Sequence, residues 1–172
     1  KVNLVNVWKE QVDVEFGKET AEGGKYAFLS LQAAVRALQE NEIDVLVTAP
    51  INKHNIQSED FKFSGHTEYL EANLEGESLM ALMTDEIKIG LITGHIPIQK
   101  IAETITVELV EKKVGLMYSS LIQDFKISKP KIAVLGLNPH CGDNGVIGDE
   151  DDKLIKPTLE KIQADGFKQC HR

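Results

Sequence analysis

The stretch Asp44–Leu70, DVLVTAPINKHNIQSEDFKFSGHTEYL, decides how the chain reads. Its opening, Asp44–Thr48, is a short apolar and β-branched run stopped by Ala49-Pro50, the pattern of an interior strand whose C-terminal end opens into a loop. In α/β sheets that end is where ligands bind. Further on, Gly65 lets the backbone bend closely around a guest and His66 offers an imidazole. Thr67-Glu68-Tyr69 then opens a helix with free N–H groups. The stretch therefore predicts an anion-binding, titratable corner delivered by one strand.

Composition bounds what this corner serves. With 172 residues, 42% of them hydrophobic, the chain has material for one substantial domain and shows no low-complexity tract. A net charge of -8 and a pI near 5.1 argue against nucleic acid and anionic membrane as partners, because both require a basic footprint. Small-molecule chemistry fits better. No apolar run reaches membrane-spanning length and no signal peptide is legible. Cys141 and Cys170 are too far apart for a CxxC or a disulfide framework, so a reducing, cytoplasmic setting is expected. The chain starts at Lys1 without a methionine and stops after Cys170-His171-Arg172, so it reads as one α/β unit over residues 1–172 that is a piece of something longer.

In chain order, Val2–Val7 and Val12–Phe16 alternate as two strands around a charged turn. Gly23-Gly24 interrupts, and Tyr26–Gln39 follows as a helix with Leu31, Ala34, Val35 and Leu38 on one face. Because this helix feeds the Asp44–Thr48 strand, a βαβ connection is expected, with a parallel or mixed sheet covered by helices. A short helix runs on to about Leu74. Ser78–Thr84 and Ile87–Thr93 form a strand pair around Asp85-Glu86. Thr106–Phe125 carries the clearest helical stripe: Val107, Val110, Val114, Met117, Leu121 and Phe125. Lys131–Gly136 is a strand after Pro130, and Asp149–Asp152 is the charged start of a helix over Leu154–Ala164.

Three of these predicted strands are followed by a glycine and a histidine close together, at His66, His95 and His140. If the strands are parallel, their C-terminal ends share one rim and the imidazoles converge. Their sequence separation excludes a local zinc motif, so any metal site must be assembled by the fold. Each histidine also has a plain structural reading as a hydrogen-bonded or exposed residue. His54 reads as an exposed helix residue, and His171 receives no role.

Taken together and in order, LVTAPINK (Leu46–Lys53), SGHTEYL, TGHIPI (Thr93–Ile98) and GLNPHCGDNGVIGDED (Gly136–Asp151) resemble the 4-hydroxythreonine-4-phosphate dehydrogenase family of vitamin B6 (pyridoxal phosphate) biosynthesis. The resemblance covers most of the chain and is similar to the family's middle portion. It implies an α/β fold of the isocitrate/isopropylmalate-dehydrogenase kind, with a mixed sheet and helices on both faces. It also implies NAD or NADP and a divalent metal (Zn, Mg or Co) as cofactors, and a homodimer with its site between subunits. Carried over position by position, the substrate-contacting pair falls on His66 and Thr67, and two metal-ligating histidines fall on His95 and His140. The family's third metal histidine, its later substrate-holding residues and its nucleotide-binding segment have no counterpart here. The chain accordingly resembles an incomplete two-domain dehydrogenase lacking its C-terminal part, inactive by itself, and Phe167–Arg172 departs from the family pattern.

The implied reaction oxidises and decarboxylates 4-phosphohydroxy-L-threonine to 3-amino-2-oxopropyl phosphate, with the hydride leaving on the nicotinamide. A relative acting on a phosphorylated four-carbon sugar acid, 4-phospho-threonate or 4-phospho-erythronate, shares the same motifs. An inactive fragment and a phosphoacyl transferase of related fold also stay open. No general base is assigned. Lys53 reads either as a cation for a phosphate or carboxylate or as a surface lysine. Asp143 reads either as a partner of His140 or as a turn former beside Asn144-Gly145. Cys141 reads as a packing residue.

Overall fold

A computed structural model describes residues 2–165 and the backbone of Cys170–His171; the rest of the Phe167–Arg172 segment lies outside the described residues. Where the sequence reads as one unit, the contacts divide the chain into two, Lys1–Ser78 and Leu79–Arg172.

The first unit is built on α1 (Ala21–Gln39). Thr20 caps it from an extended backbone (φ -127°, ψ 146°), and its Oγ1 accepts the Gly23 N–H at 3.1 Å. The helix therefore begins ahead of Gly23-Gly24, which the sequence reads as a break. Gly24 is needed inside it for another reason: a Cβ there would lie 1.9 Å from the Asn55 carbonyl oxygen, so a turn of the following loop rests directly on the helix backbone. Asn41, at φ 56°, ends the helix in the left-handed region.

Leu31 and Val35 on the inner face of α1 pack with Ile56, Phe61 and Tyr69, and partly buried Phe28 and Phe63 close the cluster. Phe61 is fully buried, with the rings of Phe28, Phe63 and Tyr69 centred 5.3–5.5 Å from its own. Tyr69 belongs to α2 (His66–Asn73), so this aromatic packing fixes where α2 begins. Gln39 Nε2 donates to the Asn73 carbonyl at 2.7 Å and joins the ends of the two helices.

Three predicted strands of this unit do not form. Residues Val2–Val7, Val12–Phe16 and Asp44–Thr48 carry no ladder, and Val2, Phe16 and Val47 are more than nine-tenths exposed. A strand's hydrogen bonds are made to another segment, and none of these three is paired in a ladder with another described segment. Trp8 and Glu10 still anchor the N-terminal stretch on α1: the Trp8 ring packs 4.8 Å from that of Tyr26, whose hydroxyl donates to Glu10 at 3.0 Å.

In the second unit the predicted strand pair is present. β1 (Ala81–Met83) and β2 (Lys88–Gly90) are antiparallel, with Leu82 opposite Ile89. Thr84 closes their turn by donating its N–H to the Ile87 carbonyl at 2.8 Å. A 3-10 turn (Ile98–Lys100) and a short α3 (Ile101–Thr104) lead to α4 (Val107–Gln123). Thr106 caps α4 by accepting the Leu109 N–H at 3.2 Å, and Val110, Val114, Met117 and Leu121 are buried as the stripe predicts. Phe125 lies beyond the helix end and is exposed.

β3 (Ile132–Ala133) pairs in parallel with β4 (Cys170–His171). Among the described residues the strands thus make two separate two-stranded sheets in place of the one mixed sheet the sequence predicts. After a long loop, a single π turn (Asp151–Ile155) runs directly into α5 (Lys156–Ala164), with Pro157 in its first turn. Ile155, Leu159 and Ile162 pack on Val110 and Val114 to form the core. Across it Lys161 Nζ meets Glu111 Oε1 at 2.6 Å, and this hydrogen bond holds the Lys161 ammonium above its usual pKa. No helix among the described residues is long and apolar enough to cross a membrane.

Candidate functional site

In the first unit, the structure brings together three of the residues singled out in the sequence. His66 and Thr67 occupy the first turn of α2, both half-buried, behind the buried Gly65. No side chain caps this helix start, so its first N–H groups point outward with the positive end of the helix dipole. The exposed Lys53 reaches the same place: a Cβ built on Gly65 would lie 3.9 Å from Lys53 Nζ and 3.5 Å from Glu68 Oε2. An ammonium, a carboxylate, an imidazole, a hydroxyl and a helix N-terminus therefore share one corner. His66 begins α2 rather than following a strand, because Asp44–Thr48 is unpaired.

The turn that presents Lys53 is shaped by a residue the sequence reading passed over. Asn52 Oδ1 accepts the N–H groups of His54 (2.9 Å) and Asn55 (3.1 Å), while its Nδ2 donates to Glu19 Oε2 at 3.1 Å. An asparagine after Pro50-Ile51 at the head of a polar run is the available signal for such an Asx turn. His54 lies in this turn, not in a helix. Its Nδ1 is paired with Glu19 Oε1, and the side chain is 90% exposed.

That pair makes a pH prediction with a definite sign. The hydrogen bond to Glu19 raises the His54 pKa, and the bond from His54 lowers that of Glu19. The tie between the turn and the start of α1 is then fully present below the ordinary histidine pKa and is lost as pH rises through the elevated one. At the acid end it is lost as pH falls through the depressed Glu19 value. In an NMR titration the His54 imidazole should titrate above about 6.5, and Glu19→Gln should bring it back; no difference between the two proteins would refute the pairing.

In the second unit, His95 stands after β2 and His140 after β3, both exposed. Asp143, beside His140, has φ 45° and sits within a chain of tight turns, which favours the turn-forming reading. Cys141 is partly buried, its Sγ 2.9 Å from where a Cβ on Gly136 would lie, consistent with packing. Neutral imidazoles are suitable ligands for a divalent ion, but among the described residues no group of three or more His, Cys, Asp or Glu side chains is gathered that could hold one. The described residues alone thus do not make a metal centre. Asp151, read in the sequence as part of a charged helix start, is instead 1% exposed. A cleft of about 580 Å³ between β2, the Met117 and Leu121 face of α4, and Ile132–Leu135 is lined by none of the predicted site residues.

Known proteins supply an independent reading of this arrangement. The family described as "Pyridoxal phosphate biosynthetic protein PdxA" matches residues 1–170, taking in most of the Phe167–Arg172 segment expected to depart from it. The chain is 46% identical over 169 residues to the 4-hydroxythreonine-4-phosphate dehydrogenase of Bacteroides thetaiotaomicron, covering 97% of this chain and 46% of that protein. It is 41% identical to the enzyme of that name from Sulfurihydrogenibium sp., covering 96% and 51%. Among solved structures it superposes on the 4-hydroxythreonine-4-phosphate dehydrogenase of Klebsiella pneumoniae with a TM-score of 0.78 at 28% identity, over 91% of this chain and 47% of that one. The dehydrogenase from Burkholderia phymatum gives 0.73 at 29%, over 93% and 48%. The chain spans about half the length of the curated relatives it matches. Its sequence and its mixed helix-and-strand structure place it in the pyridoxal phosphate biosynthetic protein PdxA family.

Proposed function

We propose that the chain is part of a longer two-domain, homodimeric cytoplasmic dehydrogenase of the isocitrate/isopropylmalate-dehydrogenase kind. The complete enzyme oxidises and decarboxylates 4-phosphohydroxy-L-threonine with NAD or NADP. The observation that carries this reading is the likeness along 97% of the chain to a 4-hydroxythreonine-4-phosphate dehydrogenase.

In the reaction, the substrate's secondary alcohol loses a hydride to the nicotinamide and its hydroxyl proton to a base. The resulting β-keto acid releases CO₂, its bonding pair passes into an enol, and protonation gives the amino-ketone phosphate. At the α2 corner, His66 and Thr67 hydrogen-bond the substrate, and Lys53 with the free N–H groups of the helix start offsets its negative charge. His95 and His140 would supply imidazole ligands to the divalent ion, which would polarise the substrate's alcohol oxygen when bound.

The test is the intact gene product incubated with NAD⁺ or NADP⁺, a divalent ion and the phospho-amino acid, with 4-phospho-threonate and 4-phospho-erythronate as parallel substrates. Metal-dependent growth of reduced-nicotinamide absorbance with the amino acid is the expected result. Turnover confined to the sugar acids would replace the substrate assignment, and none with any of them would end the dehydrogenase reading. Residues 1–172 alone are expected to be inactive.

A further inference from the structure

The loop that carries His140 is strained and held shut from outside. Cys141, Asp143 and Asn144 have positive φ (51°, 45° and 55°), a conformation disfavoured for most side-chain-bearing residues and least so for Asn and Asp. Gly142 sits among them at φ 79°, where a Cβ would meet the Gly148 carbonyl at 2.2 Å. Such a shape persists only where its surroundings over-determine it. Asp151 does so at the loop's entry: each of its carboxylate oxygens accepts one of two successive backbone N–H groups, Leu137 at 3.2 Å and Asn138 at 3.1 Å. These charge-assisted bonds are shielded from water, since Asp151 is 1% exposed. The Asn138 side chain carries the restraint onward. Its Oδ1 accepts the His140 N–H at 2.9 Å and its Nδ2 donates to the Ile147 carbonyl at 3.1 Å, spanning the loop. Gly136 leaves room for this, for a Cβ there would lie 3.1 Å from Asp151 Oδ1. The Asp151–Ile155 segment is a π turn, a feature that recurs at functional sites.

We infer that Asp151 is a positioning residue: through Asn138 it fixes the backbone of the 137–147 loop and so the place at which His140 is presented. The role of His140 in the site rests on the function proposed above, whereas the clasp itself does not. In the intact gene product, Asp151→Asn keeps the shape but sets an NH₂ group against a backbone N–H. Amide exchange at Leu137 and Asn138 should rise at least about tenfold, with the Val110 and Val114 amides unchanged. The His140 imidazole resonances should shift while those of His95 stay in place. kcat should fall about tenfold to a hundredfold, and in a His140→Ala background Asp151→Asn should cost nothing further. Asn138→Ala, which cuts the relay one step later, should reproduce the His140 signature if Asp151→Asn does not fold. Unchanged exchange at Leu137 and Asn138, or an equal loss of kcat with and without His140, would overturn the inference. If the wild-type protein has no dehydrogenase activity the function proposal fails, and the exchange and resonance measurements still decide the clasp.

Discussion

Phe61→Ala should lower the unfolding free energy of the first unit by about 3–5 kcal/mol, the range for removing a fully buried aromatic ring. Phe61 has no exposed surface and touches three other rings, with centroids 5.5 Å (Phe28), 5.5 Å (Phe63) and 5.3 Å (Tyr69) away. Each such pair adds about 0.5–1.5 kcal/mol beyond the area it buries. The backbone turn is independent of the ring: Ser58 Oγ accepts the Phe61 N–H at 3.1 Å and the Ser58 N–H donates to the Phe61 carbonyl at 3.1 Å. The loss would therefore be one of packing, and Phe61→Leu should recover much of it. Urea unfolding followed by Trp8 fluorescence is a suitable probe, since Trp8 packs on Tyr26 in the same unit. A loss below about 1 kcal/mol would mean that the aromatic cluster does not carry this unit. Because Tyr69 is one of the rings and lies in the first turns of α2, the variant should also loosen the corner formed by His66 and Thr67.

The second large effect is a reversal of sign. In a helix interior, Gly→Ala is ordinarily worth about 1 kcal/mol of added stability. At Gly24 it should instead destabilise, by about 3 kcal/mol, at the upper end of the usual overpacking cost. The new Cβ would lie 1.9 Å from the carbonyl oxygen and 2.4 Å from the carbonyl carbon of Asn55, and neither atom can swing aside as a side-chain tip does. Relief requires α1 and the 52–56 turn to part, which breaks the bond from Asn55 Nδ2 to the Thr20 carbonyl (2.9 Å). Gly115 is the control. It lies in α4 with nothing within 4 Å of its Cβ position, so Gly115→Ala should raise the midpoint of unfolding. Both variants stabilising alike would show that the Gly24–Asn55 approach is not tight.

The same contrast between local and distant partners separates what could be read from the sequence from what could not. Thr106 ahead of a stripe of Val110, Val114, Met117 and Leu121 specifies α4, because a helix satisfies its backbone within itself and its cap is the adjacent residue. The Asp85-Glu86 turn likewise specifies the β1–β2 pair. Asp44–Thr48 has equally good strand composition and forms no ladder, since the other half of every strand hydrogen bond belongs to a residue elsewhere. The histidine motifs were legible as motifs; whether they converge was not, because that depends on strand pairing between distant segments and not on any one segment.

By itself, then, the sequence determined the buried faces of α1, α4 and α5, the one tight strand pair and, through GHT, TGH and NPH in fixed order, the family. Tertiary structure alone decided that Lys53 meets the start of α2, that Gly24 is a contact and not a break, and that Asp151 turns inward to hold the His140 loop. The physical reason is that each depends on desolvation and close approach between residues remote in the chain. An exposed aspartate and a buried one that binds two amides are written with the same letter.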